Sequence, residues 1–262
     1  MIPVVVDSEW LVGHRNDVVV ADVRWYLDGR SGLAAYLESH ISGALFVDLD
    51  RCLCGPPSAS EGRHPLPAPA VFAQQMATLG IGDADTVVAY DDSGGTTAAR
   101  LVWMLRMIGA PAALLDGGLA AWDGPTEQEG VTRAPAGFTA RPWPGALLAS
   151  ADDAAEPSSV VLDARDASRY RGDHEPVDPR AGHIPGARSL PCRENLRADG
   201  RFLAPEELRR RLGALGVHDA PRVVCYCGSG VTACHDLIAI EHAGLGRGRL
   251  YPGSWSQWSA DP

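Results

Sequence analysis

Short apolar runs alternate with segments of helical period along this chain. Val223-Val224-Cys225-Tyr226 is a continuous apolar run, the pattern of a buried strand. It breaks into the glycine-rich turn Cys227-Gly228-Ser229-Gly230-Val231-Thr232, and apolar positions then recur at helical spacing to residue 243. That helix is predicted over 232–243, and further ones over 66–79, 98–108 and 205–215. This alternation predicts an α/β fold, each domain a mainly parallel sheet with helices on both faces. The turn at 227–232 then lies at the carboxyl end of a strand, where such sheets place ligands.

The pattern occurs twice. Val87-Val88-Ala89-Tyr90-Asp91-Asp92-Ser93-Gly94-Gly95-Thr96 matches the 223–232 stretch, pairing Tyr90 with Tyr226, Ser93 with Ser229, Gly94 with Gly230 and Thr96 with Thr232. Upstream, Asp22-Val23-Arg24 matches Asp163-Ala164-Arg165, and His40-Ile41-Ser42-Gly43-Ala44 matches His183-Ile184-Pro185-Gly186-Ala187. Downstream, Asp116-Gly117-Gly118 with Trp122 matches Tyr251-Pro252-Gly253 with Trp255 or Trp258. The order of blocks predicts two homologous domains, 1–124 and 146–262, joined by an aperiodic linker over 125–145 rich in Pro, Gly, Thr and Glu. Residues 52–69 form a long irregular insertion in the first half, and long loops in compact domains often carry function.

Strand, tight loop and helix in this order aim backbone N–H groups and a helix N-terminus at the loop's first residue, Cys227. A thiol there is expected to have a lowered pKa, to act as a thiolate nucleophile, and to have a persulfide's charge stabilised. The plainer alternative is a small buried residue ending a strand. Two glycines within three residues favour the reactive reading, because a packed Cys needs no such turn. Asp91 holds the matching place in the first half. A carboxylate cannot do thiol chemistry, so that half is expected to be catalytically silent and to supply one wall of the site.

Composition narrows the class. At 262 residues and 45% hydrophobic, the chain can build two cores. A net charge of −10 argues against a general binder of nucleic acid or anionic membranes. No apolar run is long enough for a membrane span, and the first residues lack signal-peptide character. Six cysteines at irregular spacing do not form a disulfide framework, which suggests a reducing cytoplasm. Cys52 and Cys54 lack the second pair a structural zinc site needs, so no metal is expected. Cys225 could serve as a resolving thiol, and Cys234 reads as packed in the helix. Asp22 and Asp163 read as strand-end braces, His40 and His183 as structural histidines, and Thr232 as a partner for helix N-terminal donors.

Taken together, the tandem Asp-x-Arg, Gly-His-Ile-Pro-Gly-Ala, Cys-Gly-Ser-Gly-Val-Thr-Ala and Gly-Ser-Trp-Ser-Gln-Trp motifs resemble the two-domain rhodanese family of sulfurtransferases, over nearly the whole chain. The resemblance implies two rhodanese folds, the first silent and the second active. It implies a ping-pong cycle in which Cys227 takes a sulfane sulfur as a persulfide and passes it to an acceptor. The uncharged loop resembles the branch that uses 3-mercaptopyruvate, whereas thiosulfate-preferring members carry basic residues after the Cys. In that branch Ser229 relays a proton, and Gly228, Gly230, Val231 and Thr232 shape the pocket. Arginines bind the substrate carboxylate, here Arg169 and, by local sequence, Arg180. Asp50 would orient His64 for proton transfer, and Arg100 would point toward the domain interface. The segment Glu175-Pro176-Val177-Asp178-Pro179 also resembles bacterial members described as thiosulfate sulfurtransferases, so that donor stays open.

No cofactor is implied, since the Cys sulfur carries the redox chemistry. The expected partners are a small sulfur donor and a thiol or cyanide acceptor, with thioredoxin a further candidate acceptor, and a monomer suffices. A phosphatase would need an Arg about six residues after the Cys to hold phosphate, and that place is Ala233. A non-enzymatic module of this family would lose the Cys, as the first half has.

Overall fold

The structure is a computed structural model and describes residues 2–260, so residues 1 and 261–262, at the ends of the two predicted domains, lie outside it. Two compact units divide the chain. The first comprises the chain up to Cys54 together with Pro67–Trp143 and Ala198–Arg201. The second comprises Gly55–Leu66, Pro144–Arg197 and the chain from Phe202 onward. Part of the insertion in the first half of the sequence therefore belongs to the second unit.

The first unit holds a five-stranded parallel sheet in the order Val5–Val6, Ala112–Leu115, Thr86–Tyr90, Val18–Asp22, Leu45–Phe46. The second holds a four-stranded parallel sheet in the order Arg249–Leu250, Val223–Tyr226, Val160–Asp163, Arg188–Ser189. Central strands are apolar at successive positions because helices cover them. Val19, Val20, Val88, Val224 and Tyr226 are all buried. Helices Ala98–Met107 and Ala233–His242 follow the two glycine-rich loops. Helix Pro205–Ala214 also lies where the period placed it. The helix predicted over 66–79 begins only at Pro69 and ends at Thr78. Pro67 and Pro69 disfavour helical backbone in the residues before them, whereas Pro69 itself suits the first helical position.

The segment predicted as a linker carries no helix over 125–143 and is fastened to the first unit. Thr126–Glu127 pairs antiparallel with His40–Ile41. Val131 donates its N–H to Tyr36 Oη at 2.9 Å, and Trp143 Nε1 donates to Pro67 O at 2.8 Å.

The strand-end motifs act as braces in both units. Arg24 holds Asp22 at 2.8 Å and donates to Ser39 O at 2.7 Å, and Arg165 holds Asp163 at 2.6 Å and donates to Gly182 O at 2.7 Å. His40 and His183 each bond a backbone carbonyl and stack on a tyrosine, Tyr36 and Tyr170.

Candidate active site

Strand Val223–Tyr226 delivers Cys227 to the start of its loop, 1% exposed. Gly230 has φ +78°, which lets the backbone curl back so that its N–H donates to Cys227 Sγ at 3.1 Å. A Cβ on Gly230 would stand 2.7 Å from Pro252 O, so the turn excludes any side chain there. The N–H groups of Ser229, Val231 and Thr232 meet no acceptor among the described residues.

The loop is held from behind by helix Ser254–Trp258. Trp255 and Ser256 donate their N–H groups to Cys227 O at 2.9 Å and Gly228 O at 2.8 Å. Ser254 Oγ accepts from Cys227 N at 3.2 Å and donates to Tyr251 O at 2.9 Å. Ser254 has φ +53°, the one non-glycine with positive φ among the described residues. Backbone strain of this kind gathers where a site fixes geometry.

A strap over Gly55–Leu66 supplies the next groups. Gly62 has φ +85°, and a Cβ there would lie 2.6 Å from Gly253 O, so the strap can sit this close only with glycine. Arg63 N–H donates to Ser256 Oγ at 3.0 Å. His64, 8% exposed, then brings Nδ1 within 2.7 Å of Ser229 Oγ. Ser229 and His64, the two expected proton-transfer groups, are thus in direct hydrogen bond.

Two guanidinium groups flank Gly228. The site where its Cβ would be lies 3.2 Å from Arg63 Nη2 and 3.4 Å from Arg169 Nη1. Asp178 bridges the two arginines, accepting from Arg63 Nη1 at 2.5 Å and Arg169 Nη2 at 3.2 Å. Glu175 accepts from Arg169 at 2.6 and 3.1 Å and from Arg165 at 3.2 Å. Burial pushes the Glu175 carboxyl up, but hydrogen bonds from Arg169 and from the Asp178 and Val177 N–H groups, with the Arg169 charge, bring it below its ordinary value.

Arg180, expected as the second carboxylate ligand, is used elsewhere. It donates to Trp258 O at 2.6 Å and Ser259 O at 2.9 Å, satisfying the carbonyl end of the last helix. It lines a cavity of about 630 Å³ with Ser60, Asp152, Tyr251, Gln257 and Trp258, and no residue of the 227–232 loop lines that cavity. The second arginine beside the loop is Arg63. Its adjacency to His64 was the one sequence signal for it. Thr232 also departs from expectation. It precedes the helix with φ −70° and ψ −17° and makes no side-chain capping bond, because that backbone is helical, not the extended form a cap requires.

Asp50 and Arg100 belong to the first unit. Asp50 accepts from Trp25 Nε1 at 3.0 Å, and Arg100 is fully buried with Nη2 3.4 Å from Leu53 O. Burial holds the Cys225 thiol well above its ordinary value and raises Cys52 and Cys54 to about 11, so these stay protonated near neutral pH. No group of His, Cys, Asp and Glu among the described residues could hold a metal ion.

The family model described as a rhodanese-like domain matches this chain twice, over residues 8–124 and 147–261. A probable 3-mercaptopyruvate sulfurtransferase of Pseudomonas aeruginosa is 45% identical over 259 residues, covering 94% of this chain and 90% of that protein. A putative thiosulfate sulfurtransferase SseB of Mycobacterium tuberculosis is 41% identical over 255 residues, covering 94% and 89%. The structure of 3-mercaptopyruvate sulfurtransferase from Leishmania major superposes with a TM-score of 0.87 at 33% identity, covering 98% of this chain and 74% of that one.

Proposed function

The chain belongs to the rhodanese-like family, and from that membership we propose that it moves the thiol sulfur of 3-mercaptopyruvate to a thiol or cyanide acceptor through a persulfide on Cys227. The observation that carries this reading is the His64–Ser229 hydrogen bond at 2.7 Å, two residues after a cysteine whose Sγ receives the Gly230 N–H.

In the first half-reaction the Cys227 thiolate attacks the donor's thiol sulfur. An S–S bond forms as the C3–S bond breaks, and the electron pair is left on C3 as the enolate of pyruvate. The proton on the attacked sulfur passes through Ser229 Oγ and His64 to C3, giving pyruvate and the Cys227 persulfide anion. The N–H groups of Ser229, Val231 and Thr232 are available to the outer sulfur as its charge develops. Arg169 binds the donor's carboxylate. In the second half-reaction an acceptor thiolate attacks the outer sulfur and frees the Cys227 thiolate.

The acceptor in this reading is a small thiol, cyanide or a thioredoxin-like dithiol. One chain is the working unit, and six free cysteines suit a reducing cytoplasm. No described helix is long and apolar enough to cross a membrane.

A donor comparison tests the reading. Pyruvate release from 3-mercaptopyruvate and thiocyanate release from thiosulfate plus cyanide are followed on the same protein. A kcat/KM preference for 3-mercaptopyruvate above about tenfold, about 1.4 kcal/mol, is expected. A preference for thiosulfate overturns the donor assignment and favours the activity for which the mycobacterial relative is named.

A further inference from the structure

We propose that the cavity beside the strap tip and the last helix is a separate binding site, and that it takes a zwitterionic ligand of the amino-acid or short-peptide class with an apolar side chain. The inference goes beyond the sulfurtransferase reading and does not depend on it. No residue of the 227–232 loop lines this cavity, so its ligand is not the sulfur donor.

Two charged groups at its wall set the ligand's charges. Arg180 is pinned by backbone, with Nε on Ser259 O at 2.9 Å, Nη2 on Trp258 O at 2.6 Å, and Trp255 Nε1 donating to the Arg180 carbonyl at 2.8 Å. Its third nitrogen, Nη1, donates to no protein acceptor among the described residues. A guanidinium held this way presents a donor and a positive charge that need no further ordering when a ligand arrives. Asp152 lines the same cavity from helix Ala151–Ala155. Its neighbour Asp153 is spent on closing that helix, accepting from Ser150 N–H at 2.8 Å, Ser150 Oγ at 2.9 Å and Arg249 Nη1 at 2.9 Å. Asp152 makes no hydrogen bond or ion pair among the described residues. One fixed cation and one unspent anion cancel, so the cavity attracts neither a simple anion nor a simple cation. A molecule carrying both a carboxylate and an ammonium satisfies both walls.

Shape agrees with charge. The volume of about 630 Å³ lies in the range of small-molecule sites. Buried Tyr251, half-buried Trp258 and the methyl groups of Ala59 and Ala260 give it surface for an apolar or aromatic side chain. Its position also ties it to the nucleophile. Trp258 ends the helix whose Trp255 and Ser256 N–H groups hold Cys227 O and Gly228 O. Gln257 Nε2 donates to Ser60 O, which joins that helix to the strap carrying His64. Cys227 is 1% exposed, so a reagent reaches it only when the loop or the strap moves. A ligand lodged against Ser60 and Trp258 braces both elements from behind and opposes that movement.

The test is calorimetric titration of the full chain with two probes, L-phenylalanine and L-alanyl-L-phenylalanine, each beside its C-terminal amide and its N-acetyl form. At least one zwitterion should bind saturably, with both capped forms at least about tenfold weaker, the worth of a charged hydrogen bond. Asp152→Asn should weaken the zwitterion about tenfold and leave the N-acetyl form, which has no ammonium, within about twofold. Asp152 makes no contact that folding needs, so this variant decides even where Arg180→Gln does not fold. No saturable binding by either zwitterion, or capped forms that bind equally well, overturns the site. A zwitterion that binds Asp152→Asn as tightly as wild type overturns it too, since the probe is then held elsewhere. The second readout is alkylation of Cys227 by iodoacetamide, followed by mass. Saturating probe should slow it about twofold or more in wild type and less at the same concentration in Asp152→Asn. An unchanged wild-type rate overturns the coupling to the loop. Neither readout involves sulfur transfer, so a failed donor comparison overturns the proposed function and leaves this inference standing.

Discussion

Asp91 and Cys227 open the two matched loops, and the loops treat them differently. The Asp91 carboxylate accepts from the N–H groups of Ser93 at 2.8 Å, Gly95 at 2.7 Å, Thr97 at 2.8 Å and Ala98 at 3.0 Å, and from Thr97 Oγ1 at 2.9 Å. That cradle is filled by its own anion. The Cys227 loop turns one N–H, that of Gly230, onto Sγ and leaves those of Ser229, Val231 and Thr232 without a protein acceptor among the described residues. The first loop, 91–97, is also one residue longer than the second, 227–232, and has two glycines at positive φ where the second has one. One backbone design thus serves as a structural plug when it begins with a carboxylate. When it begins with a thiol it keeps backbone donors unspent, as the proposed persulfide on Cys227 requires.

The largest test of this contrast is Cys227→Ser. Losing the thiol should lower kcat for pyruvate release by at least about 10³-fold, with the unfolding midpoint nearly unchanged. Retained turnover would remove the persulfide from the mechanism. Asp91→Ala is the complementary change. It strands several buried N–H groups, each costing about 1–3 kcal/mol, so the chain should lose about 3 kcal/mol or more in chemical denaturation. Folded protein at working temperature should keep a KM close to wild type. A neutral effect on stability would mean the carboxylate does not fill the cradle.

Ser229→Ala sharpens the comparison, because the first loop pairs its matching Ser93 with Thr96 Oγ1 at 2.7 Å and not with a histidine. Breaking the relay to His64 should lower kcat for 3-mercaptopyruvate about 10- to 100-fold. Alkylation of Cys227 by iodoacetamide should keep its rate, since Sγ keeps the Gly230 donor. The smallest effect concerns pH. Glu175 is held below the ordinary carboxylate value in the folded state, so the unfolded chain takes up its proton first. Its stabilisation is complete above about pH 5 and fades as pH falls through the folded value. Glu175→Gln should make the unfolding midpoint less sensitive to pH between about 5 and 3, and an unchanged slope would show that the Arg169 pair adds no pH-linked stability.

Much of the fold was legible in the chain because its signals are local. Residues 223–226 and 87–90 read as strands from their apolar runs, the second observed from Thr86, and the following helices came within a residue of their observed bounds. The exception, the late start at Pro69, turned on proline chemistry that the period alone does not weigh. The brace role of Asp22 and Asp163 was also legible, since each binds an arginine two residues on. Ser254 was not singled out, although it lies inside the matched Gly-Ser-Trp block. Nothing in a lone serine shows that its backbone will take φ +53°.

The sequence by itself determined the repeat, the Cys227 and Asp91 that open its two matched loops, and the alternation of strands and helices along the chain. Each follows from spacing, turn chemistry or residue type within a few positions. Only the tertiary structure decided which arginine stands beside Arg169. Arg180 is closer in sequence, yet it closes a helix end, while Arg63 arrives on a strap from the other half of the chain. That choice depends on Gly62 packing against Gly253 and on Asp178 reaching both guanidinium groups. These are contacts between distant segments, fixed by shape and charge once the fold has formed, and no local pattern encodes them.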